Sequence, residues 1–365
     1  MKPTQLVCNI AASVLLALIS ACGGGGGNTV TETPVVVTPP VVVVPPAPVL
    51  AYPIPAGMWS APAGATPASG NYAYLQSSAG DYIGAGATYV YTGSNAQLKL
   101  SNTTLGLSFN VSGDKNWHGS FVLPTAAGKL QAGYFANLTR APFANAAVGG
   151  LEWGGDGRGC NTLTGWVIID KITLAGDAVD TLDLRFEQHC EGAASALRGQ
   201  IHWTRADDVP STVGPQAIPA TLWKPEPSFV APAGNYVYLL NTFRSAYELA
   251  SSATSSIEVD TTRTATLDIK VGGFGGWQGQ FVGMNSLSQL KTGYYPDLQR
   301  YPFHNAVKGG MSWSGYGRGC NTLTGWFVVD QVSYALGALT SIDLRFEQFC
   351  DGSALPTRGA IHWVK

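Results

Sequence analysis

A long internal repeat is the feature of this sequence that most constrains its fold. Gly159–Trp166 recurs as Gly319–Trp326, and Asp183–Gln188 recurs as Asp343–Gln348. Each copy is about 145 residues long, which suits a complete domain and far exceeds the roughly 20–47 residues of a solenoid repeat. The chain therefore contains two tandem copies of one domain.

The duplicated region divides into two modules and a linker. Module one covers 56–205, the linker 206–219, and module two 220–365. The linker contains three prolines, which interrupt regular structure because proline lacks a backbone N–H. We therefore expect a short connection between two complete domains.

Each module has the pattern of an all-β domain. Leu182, Leu184 and Phe186 alternate with polar residues, as in a half-buried strand. Residues 166–174 form a β-branched run that is apolar on both faces at first, which is typical of a central strand. No segment combines an amphipathic helical period with capping residues. We predict two tandem antiparallel domains of the β-sandwich or jelly-roll type.

Four cysteines fall at matched positions of the two modules. Cys160 and Cys190 are 30 residues apart, as are Cys320 and Cys350. In an exported chain this pattern predicts one disulfide in each module, worth about 3–4 kcal/mol in the chain-entropy model. Since the chain has no Cys-x-x-Cys or His-x-x-x-His spacing, we predict no metal site and no cofactor.

The charge balance excludes one large class of partners. The chain carries 21 basic and 23 acidic side chains, for a formal net charge of −2. Without a basic surplus it cannot neutralise a phosphate backbone, so we expect no binding to nucleic acid.

The N-terminal segment 1–22 has the features of an export signal. Lys2 precedes an apolar run over 10–19, which ends in Ile19-Ser20-Ala21-Cys22. This ending resembles the lipobox of bacterial lipoproteins, in which the leader is removed and the cysteine is acylated with chains such as palmitate. The resemblance implies a lipid bilayer as partner, bound through Cys22. Gly23 stands where an inner-membrane retention signal has Asp, so the resemblance implies the outer membrane.

A Gly/Pro/Val-rich segment over 23–55 follows the leader. Its valine runs are interrupted by prolines, each costing about 3 kcal/mol inside a helix, so we do not expect a membrane-spanning helix. The composition predicts a disordered stalk between the anchor and the modules.

Residues suited to catalysis are few. A Gly-x-Ser-x-Gly nucleophile motif is absent, and the matched acids are Asp170, Asp183 and Glu187 with their counterparts in module two. Asp183 and Glu187 share a strand face about 13 Å apart, too far for a glycosidase pair. A hydrolase would need Asp170, or its counterpart Asp330, to approach a second carboxyl across strands. We assign no catalytic residue.

Binding groups are better represented than catalytic ones. All ten tryptophans form five matched pairs, which are first of all expected in the core. Arginines beside the cysteines predict either ion pairs that brace the strands or a ligand pocket. With Trp153 and Trp313 as exposed stacking platforms, the candidate ligand-binding residues are Trp153, Arg158, Asn161, Glu187, Arg198, Trp313, Arg318, Asn321, Glu347 and Arg358.

Three short motifs recur in the last third of each module. In module one they are Gly157–Gly165, Phe186–Gly192 and Arg198–Ile201. Together they resemble a β module of secreted bacterial proteins of unknown function. The resemblance implies a secreted, disulfide-linked β fold and contributes no catalytic residue.

These observations predict an envelope lipoprotein with a non-enzymatic binding or structural role. A glycan is the leading ligand class, because tryptophan rings and arginines suit hydroxyl-rich molecules. Two alternatives stay open: an envelope hydrolase built around Asp170 and Asp330, and a protein-binding accessory subunit of an envelope assembly.

Overall fold

The computed structural model describes residues 52–241, 246–273 and 275–365. The predicted export signal, Cys22 and most of the predicted stalk lie outside the described residues. Both modules are built from strands. The strands of module one are β1 Tyr72–Ser77, β2 Thr88–Thr92, β3 Gln97–Asn102, β4 Gly106–Ser112, β5 Asn116–Val122, β6 Gly133–Arg140, β7 Gly150–Gly155, β8 Leu163–Ala175, β9 Ala178–Cys190 and β10 Leu197–Thr204.

Module two repeats this order of strands. They are β11 Tyr236–Asn241, β12 Ala246–Ser251, β13 Ile257–Asp260, β14 Thr266–Val271, β15 Trp277–Val282, β16 Gly293–Arg300, β17 Gly310–Ser314, β18 Leu323–Ala335, β19 Ala338–Cys350 and β20 Thr357–Val364. Two single-turn 3-10 helices, Thr125–Ala127 and Arg205–Asp207, complete the described elements.

Each module is one ten-stranded sheet. The strand order in module one is β2-β1-β10-β9-β8-β6-β7-β5-β4-β3, and module two has the same order. Neighbouring strands are antiparallel except for a two-residue parallel contact between β6 and β7. The edge strands β2 and β3 follow one another in the chain, and the sheet curls until it is nearly barrel-shaped. The predicted fold class, two tandem all-β domains with one disulfide each, is confirmed.

The apolar side chains that alternate along the strands fill the interior. In β9, Leu182, Leu184 and Phe186 are buried, while the polar residues between them lie on the outer face. β8, which contains the run 166–174 predicted as a central strand, lies between β9 and β6 in the middle of the sheet. The period-2 pattern therefore determined both the strand and its buried face.

Strands β6 and β7 show no clear strand pattern in the sequence. The β7 sequence Gly-Leu-Glu-Trp-Gly-Gly leads into a glycine-rich turn, and composition alone favours a loop there. These glycines instead allow close packing, because a Cβ at Gly155 would collide with the backbone of Asn116.

The disulfides close the same connection in both modules. Cys160 lies just before β8 and bonds to Cys190 at the end of β9, with a Cα–Cα distance of 5.2 Å. Cys320 and Cys350 form the equivalent bond, with a Cα–Cα distance of 4.9 Å. Both bonds lie within a single module, as the cysteine spacing predicts.

Short extended segments before each module belong to its structure. In module one the Tyr52 carbonyl accepts a hydrogen bond from the Tyr134 backbone N–H. In module two Gln216 and Tyr294 exchange two backbone hydrogen bonds. Contacts with the modules therefore reach into the segments predicted as stalk (23–55) and linker (206–219).

The two modules are in direct contact. We call 299–308 of module two the docking loop, and Asn95, Asp114 and Asn116 of module one the acceptor surface. The Asn305 side-chain amide donates to the Asn95 carbonyl and to Asp114 Oδ1, both at 2.9 Å. Lys308 forms a salt bridge with Asp114 at 2.9 Å. The docking loop therefore makes polar contacts that fix module two against module one.

The counterpart of the docking loop in module one is exposed. Asn145 occupies the position of Asn305 but is exposed, whereas Asn305 is 1% exposed. In module two Gly276 stands where the acceptor surface has Asn116. The contact therefore uses different surfaces of the two copies and does not repeat along the chain.

Candidate functional site

A cavity of 280 Å³ opens in module two, at the lower end of the roughly 300–1,000 Å³ of ligand pockets. Strands β12, β15, β17 and β19 and the loops after β17 and β19 supply its walls. Its lining residues include Glu248, Trp277, Trp313, Tyr316, Arg318, Gln348, Ser353 and Thr357.

One carboxylate and one indole ring define the cavity wall on β12 and β15. The Trp277 indole Nε1–H donates to Glu248 Oε2 at 2.8 Å. The ring of Tyr316 meets that of Trp277 edge-on, with centroids 5.4 Å apart. The cavity therefore offers aromatic surface next to a carboxylate, a combination that suits a ligand with both apolar faces and hydrogen-bond donors.

Module one fills the corresponding space with tyrosines. The strand register sets the equivalent positions: Tyr91 lies opposite Ala73 on β1, as Ala250 lies opposite Val237 on β11. Tyr91 is buried and accepts a hydrogen bond from the Trp117 indole at 2.8 Å. Tyr89, at the position of Glu248, packs on Trp117 with ring centroids 5.2 Å apart. Burial is the largest influence on the Tyr91 hydroxyl and raises its pKa to about 12. Replacing these two tyrosines by Glu248 and Ala250 opens the cavity in module two.

Trp153 and Trp313 lie in the core. They are 0% and 1% exposed, and each packs against a phenylalanine of the central strand, Phe186 or Phe346. The expectation that they are exposed stacking platforms is therefore wrong, because their strand β7 or β17 turns the indole inward. Trp313 nevertheless lines the cavity, and its buried Nε1–H has no hydrogen-bond partner among the described residues.

The two arginines of the glycine-rich loops have different surroundings. Arg158 is paired with Asp156 at 3.1 Å, and its guanidinium lies 6.0 Å from the Trp117 ring centroid. In module two Tyr316 replaces that aspartate, and exposed Arg318 forms no salt bridge within the described residues. Arg318 lines the cavity and can therefore offer its guanidinium to a ligand.

Asn161 and Asn321 hold the loop next to the disulfide. Their backbone N–H groups donate to the carboxylates of Glu191 and Asp351. The Asn161 hydrogen bond lowers the pKa of Glu191 and outweighs the opposing effect of desolvation. These asparagines participate through their backbone, and Asn321 is not among the cavity-lining residues.

The remaining candidates form an ion pair on the outer face of each sheet. Glu187 pairs with Arg198 on β10, and Glu347 pairs with Arg358 on β20. Each glutamate also accepts from the indole of Trp166 or Trp326, at 3.2 and 3.1 Å. Burial disfavours the charged form of Glu187, but its hydrogen bonds to arginine, histidine and tryptophan together hold its pKa below its usual range. The structure places these four residues outside the module-two cavity.

The carboxylates considered for hydrolysis are also paired. Arg185 donates two hydrogen bonds to Asp170, both at 2.7 Å, and Arg345 binds Asp330 in the same bidentate way. Asp183 contacts His202 across the strands at 2.6 Å. These contacts brace neighbouring strands, and a carboxylate held by two arginine hydrogen bonds is poorly placed for proton transfer.

Sequence reasoning missed two groups at this site. Gln348 is buried, and its side-chain amide bonds both the backbone N–H and the carbonyl of Trp313, at 3.0 and 2.8 Å. Its occurrence in a repeated motif signalled importance but not this role. Glu248 gave no signal, because it has no acidic counterpart in module one.

The described part of the chain holds neither a metal-binding cluster nor a membrane-spanning helix. No group of three or more His, Cys, Asp or Glu side chains there could hold a metal ion. Among the same residues, the helices are too short and too polar to cross a bilayer.

Comparison with known proteins gives no further information. No protein-family model, curated protein or solved structure matches this chain.

Proposed function

We propose that this protein is an acylated lipoprotein of the bacterial envelope whose second module binds a sugar. The ligand enters the cavity lined by Glu248, Trp277, Trp313 and Arg318. Module one holds module two in place through the acceptor surface. The protein binds its ligand without transforming it.

One observation supports this proposal most strongly. Where module one has Tyr89 and Tyr91, module two has Glu248 and Ala250, so a filled space has become a cavity with a carboxylate in its wall. An empty cavity beside large aromatic residues destabilises the fold, because the atoms that line it lack van der Waals contacts on one side. A ligand that occupies it restores those contacts.

The groups around the cavity suit a sugar in particular. The Trp277 and Tyr316 rings offer apolar surface for the C–H face of a pyranose. Glu248 accepts hydrogen bonds from hydroxyls, and the Arg318 guanidinium donates them. The unpaired indole N–H of Trp313 adds one more donor if the ligand reaches it. The cavity volume limits the ligand to a small saccharide.

The sugar site is tested by exchanging residues between the modules. Binding of the full chain to a glycan array, followed by calorimetry of each hit, should give dissociation constants around millimolar, or about −4 kcal/mol. Ala250→Tyr introduces the residue of module one and should abolish binding. Glu248→Gln keeps the shape of the side chain but removes its charge. It should weaken sugar binding about tenfold, because a hydrogen bond to a charged group is stronger than one to a neutral group.

The matched control is Tyr91→Ala, which alters the equivalent position of module one and should leave the measured affinity unchanged. The proposal fails if no glycan is retained, or if Ala250→Tyr and Glu248→Gln fold normally and bind as the unmodified protein does.

The proposed lipid anchor at Cys22 is inferred from the sequence of the export signal, residues 1–22. Cys22→Ser removes the acylation site, while both modules keep their disulfides. The variant should leave the membrane fraction, since two or three acyl chains at about 0.8 kcal/mol per buried CH₂ provide the attachment. Retention of the variant in membranes after a high-salt wash would contradict the anchor.

A further inference from the structure

A second concave surface lies where the two modules meet. We call it the inter-module cleft, and its volume is 460 Å³. Module one contributes Asp114, and module two contributes the rest of the wall. The residues used below are Asp114, Tyr294, Asp297, Gln299, Trp326 and Phe349. Asp114 therefore closes one side of a surface that module two otherwise forms by itself.

Three aromatic rings form one wall of the cleft. Tyr294 and Trp326 meet edge to face, with ring centroids 6.2 Å apart and an interplanar angle of 64°. The Trp326 indole N–H is held by Glu347 at 3.1 Å, which fixes the ring. Phe349 lines the same cleft from the neighbouring strand β19, opposite Thr324 in the register. The negative faces of aromatic rings attract cations.

Two unpaired groups of the cleft can only accept hydrogen bonds. Asp297 sits in an irregular part of β16 with φ 53°, and its carboxylate makes no side-chain hydrogen bond or salt bridge with a described residue. The Gln299 Nε2 group donates to the Asp114 carbonyl at 3.1 Å. Its Oε1 atom is buried without a partner among the described residues. A ligand for this cleft must therefore supply hydrogen-bond donors.

The charge of the cleft is negative. Lys308 also lines the cleft, and its charge is balanced by the salt bridge with Asp114, whereas Asp297 forms no salt bridge with a described residue. Burial, followed by the charges of Asp297 and Glu347, raises the pKa of Tyr294 above its ordinary value. A positively charged ligand relieves this excess of negative charge.

We propose that the inter-module cleft binds an organic ammonium group, with the cation against the aromatic wall and Asp297 as its counter-ion. This site is separate from the sugar cavity. Its ligand class follows from combining aromatic faces, an unpaired carboxylate and an unpaired buried acceptor.

Module one provides a matched comparison for this site. Its outer face keeps Tyr134 and Trp166, with ring centroids 6.3 Å apart. It has Asn137 and His189 where module two has Asp297 and Phe349. The aromatic pair is therefore present in both copies, but the counter-ion and the third ring belong to module two. Only the module-two face is expected to bind.

The test is a calorimetric titration of the full chain in detergent with choline, with glucosamine and with neutral N-acetylglucosamine. Choline and glucosamine should bind saturably, and N-acetylglucosamine should not bind at this site. Asp297→Asn should weaken choline binding at least fivefold, and Phe349→His should weaken it about threefold. Because Asp297 is exposed, its variant should keep the melting temperature of the unmodified protein.

Two controls separate this site from others. Asn137→Ser, on the matched face of module one, and Glu248→Gln, in the sugar cavity, should leave choline binding unchanged. Absence of saturable choline binding overturns the proposal. So does choline binding that survives Asp297→Asn but is lost in Glu248→Gln, which would place the cation in the cavity. A negative glycan array leaves these expectations intact, so the two proposals fail independently.

Discussion

The two modules share a fold but differ at two places on their surfaces. In module one Tyr91 fills the space beside Trp117, and Asp114 accepts the docking loop. In module two Ala250 leaves that space open, and Gly276 replaces a side chain of the acceptor surface. One copy therefore carries groups for holding its partner, and the other carries the cavity. In this duplication, the unmatched residues show where the surfaces of the two copies differ.

The largest expected effect is a loss of stability when the buried tryptophan that both modules share is truncated. Trp153→Ala and Trp313→Ala should each cost about 3–5 kcal/mol of unfolding free energy, because both indoles are buried among phenylalanines. Urea denaturation followed by circular dichroism measures the loss. An unchanged midpoint for either variant would mean that its indole is not part of the core.

Exchanging the residues at positions 91 and 250 should affect the stability of the two modules to different extents. Tyr91→Ala should destabilise module one by about 2–4 kcal/mol, since it removes a buried ring and the partner of the Trp117 indole. A tyrosine at 250 should reach Trp277 in the cavity wall, as Tyr91 reaches Trp117, so Ala250→Tyr should change the stability of module two by less than about 1.5 kcal/mol. Equal losses in both variants, measured by thermal unfolding, would contradict the comparison.

The arginine–aspartate pairs have the same geometry in the two modules, but the pair in module two should contribute more to the free energy of unfolding. The Arg345 side chain is 7% exposed and that of Arg185 is 13% exposed. Asp330→Asn should therefore cost about 1–3 kcal/mol, and Asp170→Asn somewhat less. The difference in urea midpoints checks the order, which would be refuted if Asp170→Asn were the more damaging.

The smallest expected effect is on the contact between the modules. Burial disfavours the charged carboxylate of Asp114, but hydrogen bonds from Asn305 and Lys308 together hold its pKa below the ordinary value. This contribution to docking is present above the usual aspartate range and is lost as the pH falls through the lowered pKa. Asp114→Asn should remove the pH dependence and speed proteolysis of 206–219 at neutral pH. Identical cleavage rates for both proteins at every pH would contradict this role.

The sequence predicted the fold well, for a physical reason. Strand alternation and cysteine spacing are local signals, and Leu182, Leu184 and Phe186 lie on the buried face that the period assigned. β7 was missed because its glycines resemble a turn, although Gly155 serves close packing against the backbone of Asn116. That error also made a core tryptophan look exposed.

The ligand-binding residues were less predictable from the sequence. The candidates were chosen because they match between the copies, and such residues are mainly those that both copies need for their fold. The candidates matched in both modules were largely structural: Glu187 with Arg198 braces two strands, and Asn161 is held through its backbone. Arg318 and Trp313 do line the cavity. Glu248 could not be found by this route, since it differs from Tyr89 and only the cavity reveals its position.

The most direct test follows the indole N–H signals of the full chain by ¹H–¹⁵N NMR during titration with a sugar retained on the array. The account predicts that the signals of Trp277 and Trp313 shift with a common dissociation constant. The signals of their counterparts Trp117 and Trp153 should stay in place. Equal shifts in both pairs, or shifts confined to module one, would contradict the claim that the ligand cavity belongs to module two.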